Sequence, residues 1–148
     1  MFVVDVKIEE KTKAVEQAVE KASYRNFRHA AASIRKHAME SIKESNKVQG
    51  RNKRGRFTSK KSYKASPPGT PPYTRGKRKK LKKGILYQAD AFGAIIGPSR
   101  RITGTSGVPH EFGGAYKGSK FPQRPFMSPA LRANLSRFAG SWRNSVQP

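Results

Sequence analysis

Acidic side chains, on which most general acid–base and metal chemistry depends, are almost absent from the larger part of this chain. After residue 46 the only acids are Asp90 and Glu111. A site built on two carboxylates, or on a metal held by carboxylates, would have to draw on acids from the first 46 residues. His110 and Glu111 lack the second histidine, four residues after the first, that a zinc-protease helix requires.

Other catalytic patterns are also incomplete. His29 and His37 are eight residues apart on a predicted helix, which does not place them side by side for a metal. Gly76-Lys77 has Pro71 where a phosphate loop has its first glycine and Arg78 where that loop has its hydroxyl residue. The segment from Gly104 to Gly107 is one residue short of a nucleophile elbow. We therefore predict no catalytic, cofactor-binding or metal-binding residues, and a protein that is not an enzyme.

Positive charge is the strongest compositional feature. The chain has a formal net charge of +23, and residues 47–83 alone carry 15 Lys/Arg and no Asp/Glu. Such a segment either binds a polyanion or an acidic partner, or lies as a solvated basic loop. The predicted DNA or acidic-partner contacts are Lys47, Arg51, Lys53, Arg54, Arg56, Lys60, Lys61, Lys64, Arg75, Lys77, Arg78, Lys79, Lys80, Lys82 and Lys83. Without a sequence-reading motif beside them, any nucleic-acid binding should be independent of base sequence.

The first third of the chain predicts one strand and one long helix. Residues Phe2–Ile8 alternate apolar and polar as a half-buried strand does. Residues Glu10–Ser45 contain no Pro or Gly and predict a helix about 54 Å long. Its apolar positions at three/four spacing are Val15, Ala18, Val19, Ala22, Phe27, Ala31, Ile34, Ala38 and Ile42. We expect part of this stripe to contact another subunit; the alternative is that all of it lies in the core.

The middle of the chain is predicted to be a basic, proline-rich arm over residues 47–73. Residues Lys47–Ser66 have too few apolar side chains to offset the entropy of ordering, so we expect a loop or arm that is disordered unless a partner holds it. Residues Pro67–Pro72 are typical of a stiff spacer, although a ligand for a peptide-binding module has the same composition. Residues Thr74–Gly84 then predict a short basic helix with Leu81 as its apolar anchor.

The rest of the chain predicts a hairpin and a final helix. Apolar runs at residues 85–89 and 93–96 predict two paired strands, and residues 99–108 predict a loop. Pro125 and Pro129 stiffen the approach to a helix for which Ser128 is the expected N-cap. The residues predicted to form the core or a subunit interface are Phe112, Phe121, Arg124, Phe126 and Trp142, and of these Phe112, Phe126 and Trp142 are expected to be buried.

These elements together predict a single domain spanning residues 1–148. Its fold class is α+β, with a small, mostly antiparallel sheet packed against a long N-terminal helix and a C-terminal helix, and with a long basic loop inserted. The absence of cysteine fits a reducing cytoplasm. Asp5 interrupts the apolar start, and no stretch approaches the apolar length of a membrane span, so we expect a soluble protein without a membrane partner.

Five short motifs give the C-terminal half a family resemblance. In order, they are Pro-Pro-x-x-Pro at 67–71, Thr-Arg-Gly-Lys-x-x-Lys-Leu at 74–81, Ile-Gly-Pro at 96–98, His-Glu-Phe-Gly at 110–113 and Pro-x-Arg-Pro-Phe-Met-x-Pro-Ala-Leu at 122–131. This order resembles the tail-completion or neck proteins of tailed bacteriophages. Gly114 departs from that pattern, which usually has Thr there, and the basic segment is denser.

The resemblance implies a structural virion protein at the head–tail junction, made in the host cytoplasm. It would form a ring, hexameric to match the tail or dodecameric at the head side, with neighbouring neck and tail proteins as partners and genomic DNA in its channel. Composition alone favours a free, sequence-independent nucleic-acid-binding protein instead. An enzyme acting on DNA is the third hypothesis, and the shortage of carboxylates argues against it.

Overall fold

One long helix is the central element of the domain, and shorter elements pack against its second half. The computed structural model describes residues 8–51, 54–74, 79–116, 118–143 and 145. The elements in chain order are α1 (Ile8–Ser41), β1 (Lys47–Arg51), β2 (Phe57–Tyr63), α2 (Lys80–Lys83), β3 (Ile85–Ala89), β4 (Ala94–Pro98), α3 (Arg100–Thr103), α4 (Gly107–Phe112), β5 (Gly114–Tyr116), β6 (Ser119–Phe121), α5 (Met127–Arg132) and α6 (Leu135–Trp142). The α+β prediction is confirmed. The predicted strand Phe2–Ile8 lies outside the described residues, apart from Ile8, which begins α1.

The core is built on the second half of α1. Buried positions there, at three/four spacing, are Ala31, Ile34 and Ala38, followed by Ile42 just beyond the helix. Ile34, Ala38 and Ile42 form one cluster with Leu81 of α2, Ile85 of β3, and Phe126 and Ala130 at the start of α5. Arg35 reinforces this packing, because its Nε donates a hydrogen bond to the carbonyl oxygen of Ile85 at 2.7 Å.

The first half of α1 is different. Val15 is 58% exposed and Val19 42% exposed, so the hypothesis that the whole stripe is intramolecular core is wrong within the described residues. Ala22 is the first buried position of the stripe. A small domain covers only the part of a long helix that its short elements can reach.

Within the described residues, the strands form three separate two-stranded antiparallel hairpins rather than one sheet. The β3–β4 hairpin is the predicted one, with Tyr87 opposite Ile96 and Ala89 opposite Ala94, and it lies against α1. The turn between its strands is closed by Asp90, whose Oδ1 accepts hydrogen bonds from two backbone amides at 2.8 Å. The β5–β6 hairpin is shorter and precedes the proline-framed segment.

The segment predicted as a disordered loop forms the third hairpin. Strands β1 and β2 pair antiparallel, with Lys47 opposite Tyr63. Backbone hydrogen bonds order a two-stranded ribbon without any core, and the prediction failed because it considered only apolar burial. Two contacts anchor the base of the ribbon. The Ser45 Oγ donates a hydrogen bond to the Lys64 carbonyl oxygen at 2.6 Å, and the backbones of Glu44 and Thr74 form an isolated parallel β-bridge.

The predicted Pro67–Pro72 spacer is instead a packed turn. Pro72 is fully buried, and the Gly69 amide donates to the carbonyl oxygen of Gln123 at 2.8 Å. The Thr70 amide closes the turn on the Pro67 carbonyl. The prediction was wrong because the restricted backbone of proline is as compatible with a turn that packs on the rest of the domain as with an extended linker.

Two further predictions need correction near the C-terminus. Residues 99–108, expected as a loop, contain α3 and the start of α4. The expected single last helix is two helices, α5 and α6, that meet at the buried Asn134. The Asn134 Nδ2 donates to the Ala130 carbonyl at 2.7 Å, and its Oδ1 accepts from Ser33 of α1 at 2.7 Å, so the joint between the helices is fixed to α1.

Phe126 and Phe112 provide a matched test of the core. Phe126 is fully buried, whereas Phe112 is 71% exposed. We expect Phe126→Ala to lower the free energy of unfolding by about 3–5 kcal/mol, and Phe112→Ala to change it by at most about 0.5 kcal/mol. Urea denaturation measures both. If Phe126→Ala does not fold, Phe126→Leu keeps most of the volume and should lower the free energy by about 1.5 kcal/mol; equal effects at positions 126 and 112 would contradict this core.

Candidate functional site

The most concentrated set of polar contacts surrounds Glu111 on α4. One carboxylate oxygen accepts hydrogen bonds from the backbone amides of Phe126 and Met127, each at 3.0 Å. The other accepts from the amide of Ser128 at 2.8 Å and from its hydroxyl at 2.5 Å. These amides are the unpaired donors at the start of α5, a helix with no acid in its own first turn. Glu111 therefore caps α5 from another element.

The charge of Glu111 is stabilised by those contacts. Burial by itself raises the pKa of this carboxyl, but the hydrogen bonds from Ser128 and from the three backbone amides outweigh burial and hold the pKa below its ordinary value of 4.5. A carboxyl held in its charged form at a helix start is a poor proton donor or acceptor near neutral pH. The geometry gives Glu111 a structural role.

Arg124 joins the turn at residues 67–72 to the C-terminal elements. It is buried, its Nε donates to the Ser66 carbonyl at 2.9 Å, and its guanidinium lies 5.2 Å from the ring centre of Phe121. Its backbone amide donates to the His110 carbonyl at 2.7 Å, beside the cap formed by Glu111. The motifs around Pro67, His110 and Arg124 thus meet in one place, although they are far apart in sequence.

Two residues predicted to be buried are not. Phe112 points outward at the end of α4, because the buried position of that turn is occupied by Glu111. Trp142 is 39% exposed and packs edge-on against Phe27 of α1, with ring centres 5.2 Å apart. Sequence patterns favour aromatics for burial, whereas here a carboxylate with four hydrogen bonds occupies the interior position.

The predicted basic contacts fall into two places. The ribbon β1–β2 carries exposed cations at Lys47, Arg51, Arg54, Arg56 and Lys64. Arg51 lies over the ring of Phe57, 4.7 Å from its centre, on the facing strand. Lys60 and Lys61 lie in β2, where the structure describes their backbone and not their side chains. The predicted contacts Lys53, Arg75, Lys77 and Arg78 lie outside the described residues.

The second place is α2 and the residue before it. Lys80 and Lys83 are exposed and Lys82 is half-buried, while Leu81 between them joins the core as predicted. Lys79, which has a left-handed backbone with φ of 46°, forms an ion pair with Glu44. The hydrogen bond and charge of Lys79 lower the pKa of Glu44 below its ordinary range. Lys79 is therefore partly neutralised, and the ribbon is the larger basic surface.

In the described part of the chain, no group of three or more His, Cys, Asp or Glu side chains is placed to hold a metal ion. An open cavity of about 590 Å³ lies beside α3 and α4, and among the described residues that line it Arg100 is the charged one. No helix within the described residues combines the length and the apolar character needed to cross a membrane.

Sequence reasoning missed the roles of Glu111 and Asn134. The available signal for Glu111 was the start of α5, where Phe126, Met127 and Ser128 offer backbone amides and the first turn has no acid of its own. An isolated acid in a strongly basic half of the chain is a natural candidate for such amides. Asn134 had no comparable signal, because its three partners, Ser33, His37 and Ala130, include two on a distant helix.

The cap predicts how stability depends on pH. Because the pKa of Glu111 is lower in the folded protein, its contribution is complete above the ordinary value of 4.5 and is lost as pH falls through the folded pKa. Glu111→Gln should lower the free energy of unfolding by about 1–3 kcal/mol at neutral pH. Thermal midpoints of the two proteins should converge as the solution is acidified.

The exposed Glu40 supplies the control. A Glu40→Gln variant should follow the wild-type midpoint at every pH. A gap between wild type and Glu111→Gln that persists in acid would contradict the charged cap.

Comparison with models of known protein families, with curated proteins and with solved structures finds no match to this chain.

Proposed function

We propose that this chain is a structural subunit of a tailed-phage neck, a tail-completion protein that forms a ring at the head–tail junction. The assignment to a tailed phage is based on the order of the five motifs in the C-terminal half. The observation that carries the assembly is an exposed apolar surface on the β3–β4 hairpin, where Phe92 is 88% exposed and Ile95 is 83% exposed. A subunit with such a surface needs a protein neighbour.

The hairpin is stable enough to present these side chains in a defined geometry. Its inner face packs on α1 through Ile85, and Asp90 holds its turn. Low flexibility reduces the entropy lost when a neighbour binds. The uncharged outer face contrasts with the high charge elsewhere, as expected of the centre of a protein interface.

The basic ribbon gives the ring its second contact. Strands β1 and β2 pair only with each other, and the exposed cations of the ribbon face solvent. In a ring they would meet either the DNA that passes through the neck or acidic neighbouring proteins. Either partner would also offset the repulsion between subunits that each carry a formal charge of +23.

The proposed role is structural and not catalytic. Glu111 is used as a helix cap, Asp90 closes a turn and Glu44 pairs with Lys79. Each of these three carboxylates has a structural partner. The location that follows is the virion neck, reached from the host cytoplasm during assembly.

The second candidate is a free nucleic-acid-binding protein, and the ribbon is the observation that favours it. A basic two-stranded ribbon matches the width of the major groove of duplex DNA. This hypothesis gives no role to Phe92 and Ile95, which is why we place it second.

Cryo-electron microscopy of purified phage particles tests the proposal directly. We expect density for this fold, repeated around the tail axis between portal and tail tube, in particles from a lysate in which the chain is expressed from its own locus. Absence of the chain from particles, or single copies without rotational symmetry, would favour the free nucleic-acid-binding protein.

The ribbon predicts sequence-independent DNA binding that weakens with salt. Arg51, Arg54 and Arg56 lie at the end of the ribbon away from its base. Changing all three to Gln should reduce the slope of log affinity against log salt by about 2 to 3, since each phosphate contact contributes about 0.9. Fluorescence anisotropy with duplexes of unrelated sequence measures this slope. Substitution is preferred to removal of the segment, because Ser66 anchors Arg124.

The C-terminal helices offer a matched control of equal charge. Arg132, Arg137 and Arg143 are exposed there. Their replacement by Gln should leave most of the slope in place. Equal losses from the two triple variants would mean that net charge, and not the ribbon, determines binding.

A further inference from the structure

Three of the six acids whose side chains are described are engaged within the chain. Glu44 pairs with Lys79, Asp90 closes the β3–β4 turn and Glu111 caps α5. The other three, Glu16, Glu20 and Glu40, have neither an ion pair nor a side-chain hydrogen bond among the described residues. In so basic a protein, the position of these acids indicates which surface can meet a basic one.

Two of the three acids border the exposed apolar half of α1. Glu16 and Glu20 are four residues apart and thus on one side of the helix, directly after Val15 and Val19 in sequence. All four side chains are exposed. The segment of residues 12–24 that carries them is about 20 Å long, and it also bears the exposed Lys13 and Lys21, so its acidic character is confined to the positions of Glu16 and Glu20.

The outer face of the β3–β4 hairpin combines exposed apolar side chains with Gln88, and Asp90 lies at its turn. Strand alternation places Leu86 and Gln88 on this face, and the register sets Gln88 opposite Ile95 and Leu86 opposite Gly97. Leu86 and Ile95 are exposed, and Phe92 extends the face at the turn. Strands of five residues make this face about 17 Å long, close to the length of the α1 segment.

Cations border this face at the open end of the hairpin. Helix α2 precedes β3 and helix α3 follows β4, and the Ser99 amide joins them by donating to the Gly84 carbonyl at 2.7 Å. Lys83 of α2 and Arg100 and Arg101 of α3 are exposed there. An apolar surface with a basic border thus exists on the same chain as an apolar surface with an acidic border.

We propose that these two surfaces bind each other between copies: the first half of α1 of one copy lies on the outer face of β3–β4 of the next. Val15 and Val19 cover Leu86 and Ile95, while Glu16 and Glu20 face the cations of α2 and α3. This inference deepens the proposed ring by naming its contact. Because the two surfaces are different and lie on one chain, the contact is head-to-tail and continues from copy to copy until a rotation closes it.

Cysteine pairs test the contact, since the chain contains no cysteine of its own. We would prepare the full-length variants Val19→Cys and Ile95→Cys, both at exposed positions, and oxidise them mildly at about 0.3 M salt to screen repulsion between copies. An equal mixture should give a disulfide-linked dimer on a non-reducing gel, and each variant alone should not. Unchanged circular dichroism spectra would establish that both variants fold.

Two results would overturn the proposal. A dimer from Val19→Cys alone would show that two helices face each other across a two-fold axis, and a mixture without cross-links would show that the surfaces do not meet. Arg132→Cys mixed with Val19→Cys controls for random collision, because Arg132 is an exposed residue on α5. Its yield should be near that of the single variants.

Charge reversal tests the borders of the contact. Glu16→Lys with Glu20→Lys in the Val19→Cys protein should lower the cross-linking yield about tenfold, as two opposite-charge contacts become like-charge contacts. Arg100→Glu with Arg101→Glu in the Ile95→Cys partner should restore the yield. Glu40→Lys should have no effect. An unchanged yield after reversal, or no restoration, would contradict the assignment.

The cross-linking experiment and the electron microscopy of particles test different proposals, and either can give a negative result without the other. A ring in the virion without the 19–95 cross-link would retain the proposed function and overturn this contact. A specific cross-link from a chain that is absent from particles would retain the contact and overturn the phage role.

Discussion

The acceptance of four hydrogen bonds by the Glu111 carboxylate is the interaction on which the packed body depends. Three of the donors are backbone amides that the short helix α5 cannot satisfy itself. The carboxylate fixes where α5 begins, and that start places Phe126 in the core against α1. Without the cap, the buried amide of Phe126 would be unpaired, which costs about 1–3 kcal/mol, and the part-buried amides of Met127 and Ser128 would lose their acceptor as well.

Around this cap, the chain is held together by side chains that bond to the backbone, and ion pairs have a small part. Arg124 and Arg35 each use a guanidinium nitrogen to bond a distant carbonyl, and Asn134 bonds α5 to α1. Such contacts need no acids. A chain with 32 basic and 9 acidic residues can therefore keep a defined fold while its remaining cations stay on the surface.

How far the sequence predicts this structure depends on whether burial or hydrogen bonding determines each element. Apolar spacing predicts the core half of α1, the β3–β4 hairpin and the burial of Phe126. It fails for residues 47–66, whose ribbon is held by backbone pairing, and for Phe112, which is displaced outward by a neighbouring acid that needs the interior. The partners of Glu111 were not predictable by spacing, since they depend on how α4 meets α5. The basic residues could be identified from the sequence, but it could not be predicted that they would divide between the ribbon and α2.

The two halves of α1 have a consequence for when the subunit becomes fully ordered. Residues 31–42 are held by the core, whereas nearly all of the side chains described between residues 12 and 21 are exposed. A stretch of helix without tertiary contacts is only marginally stable in water at this length, and the like charges of Glu16 and Glu20 do not help it. In the proposed ring, a neighbour that covers this segment would also stabilise its helix, so helix formation and assembly would be coupled. Free copies would then lack a complete docking surface for part of the time, which would slow polymerisation away from a site where a first copy is already held.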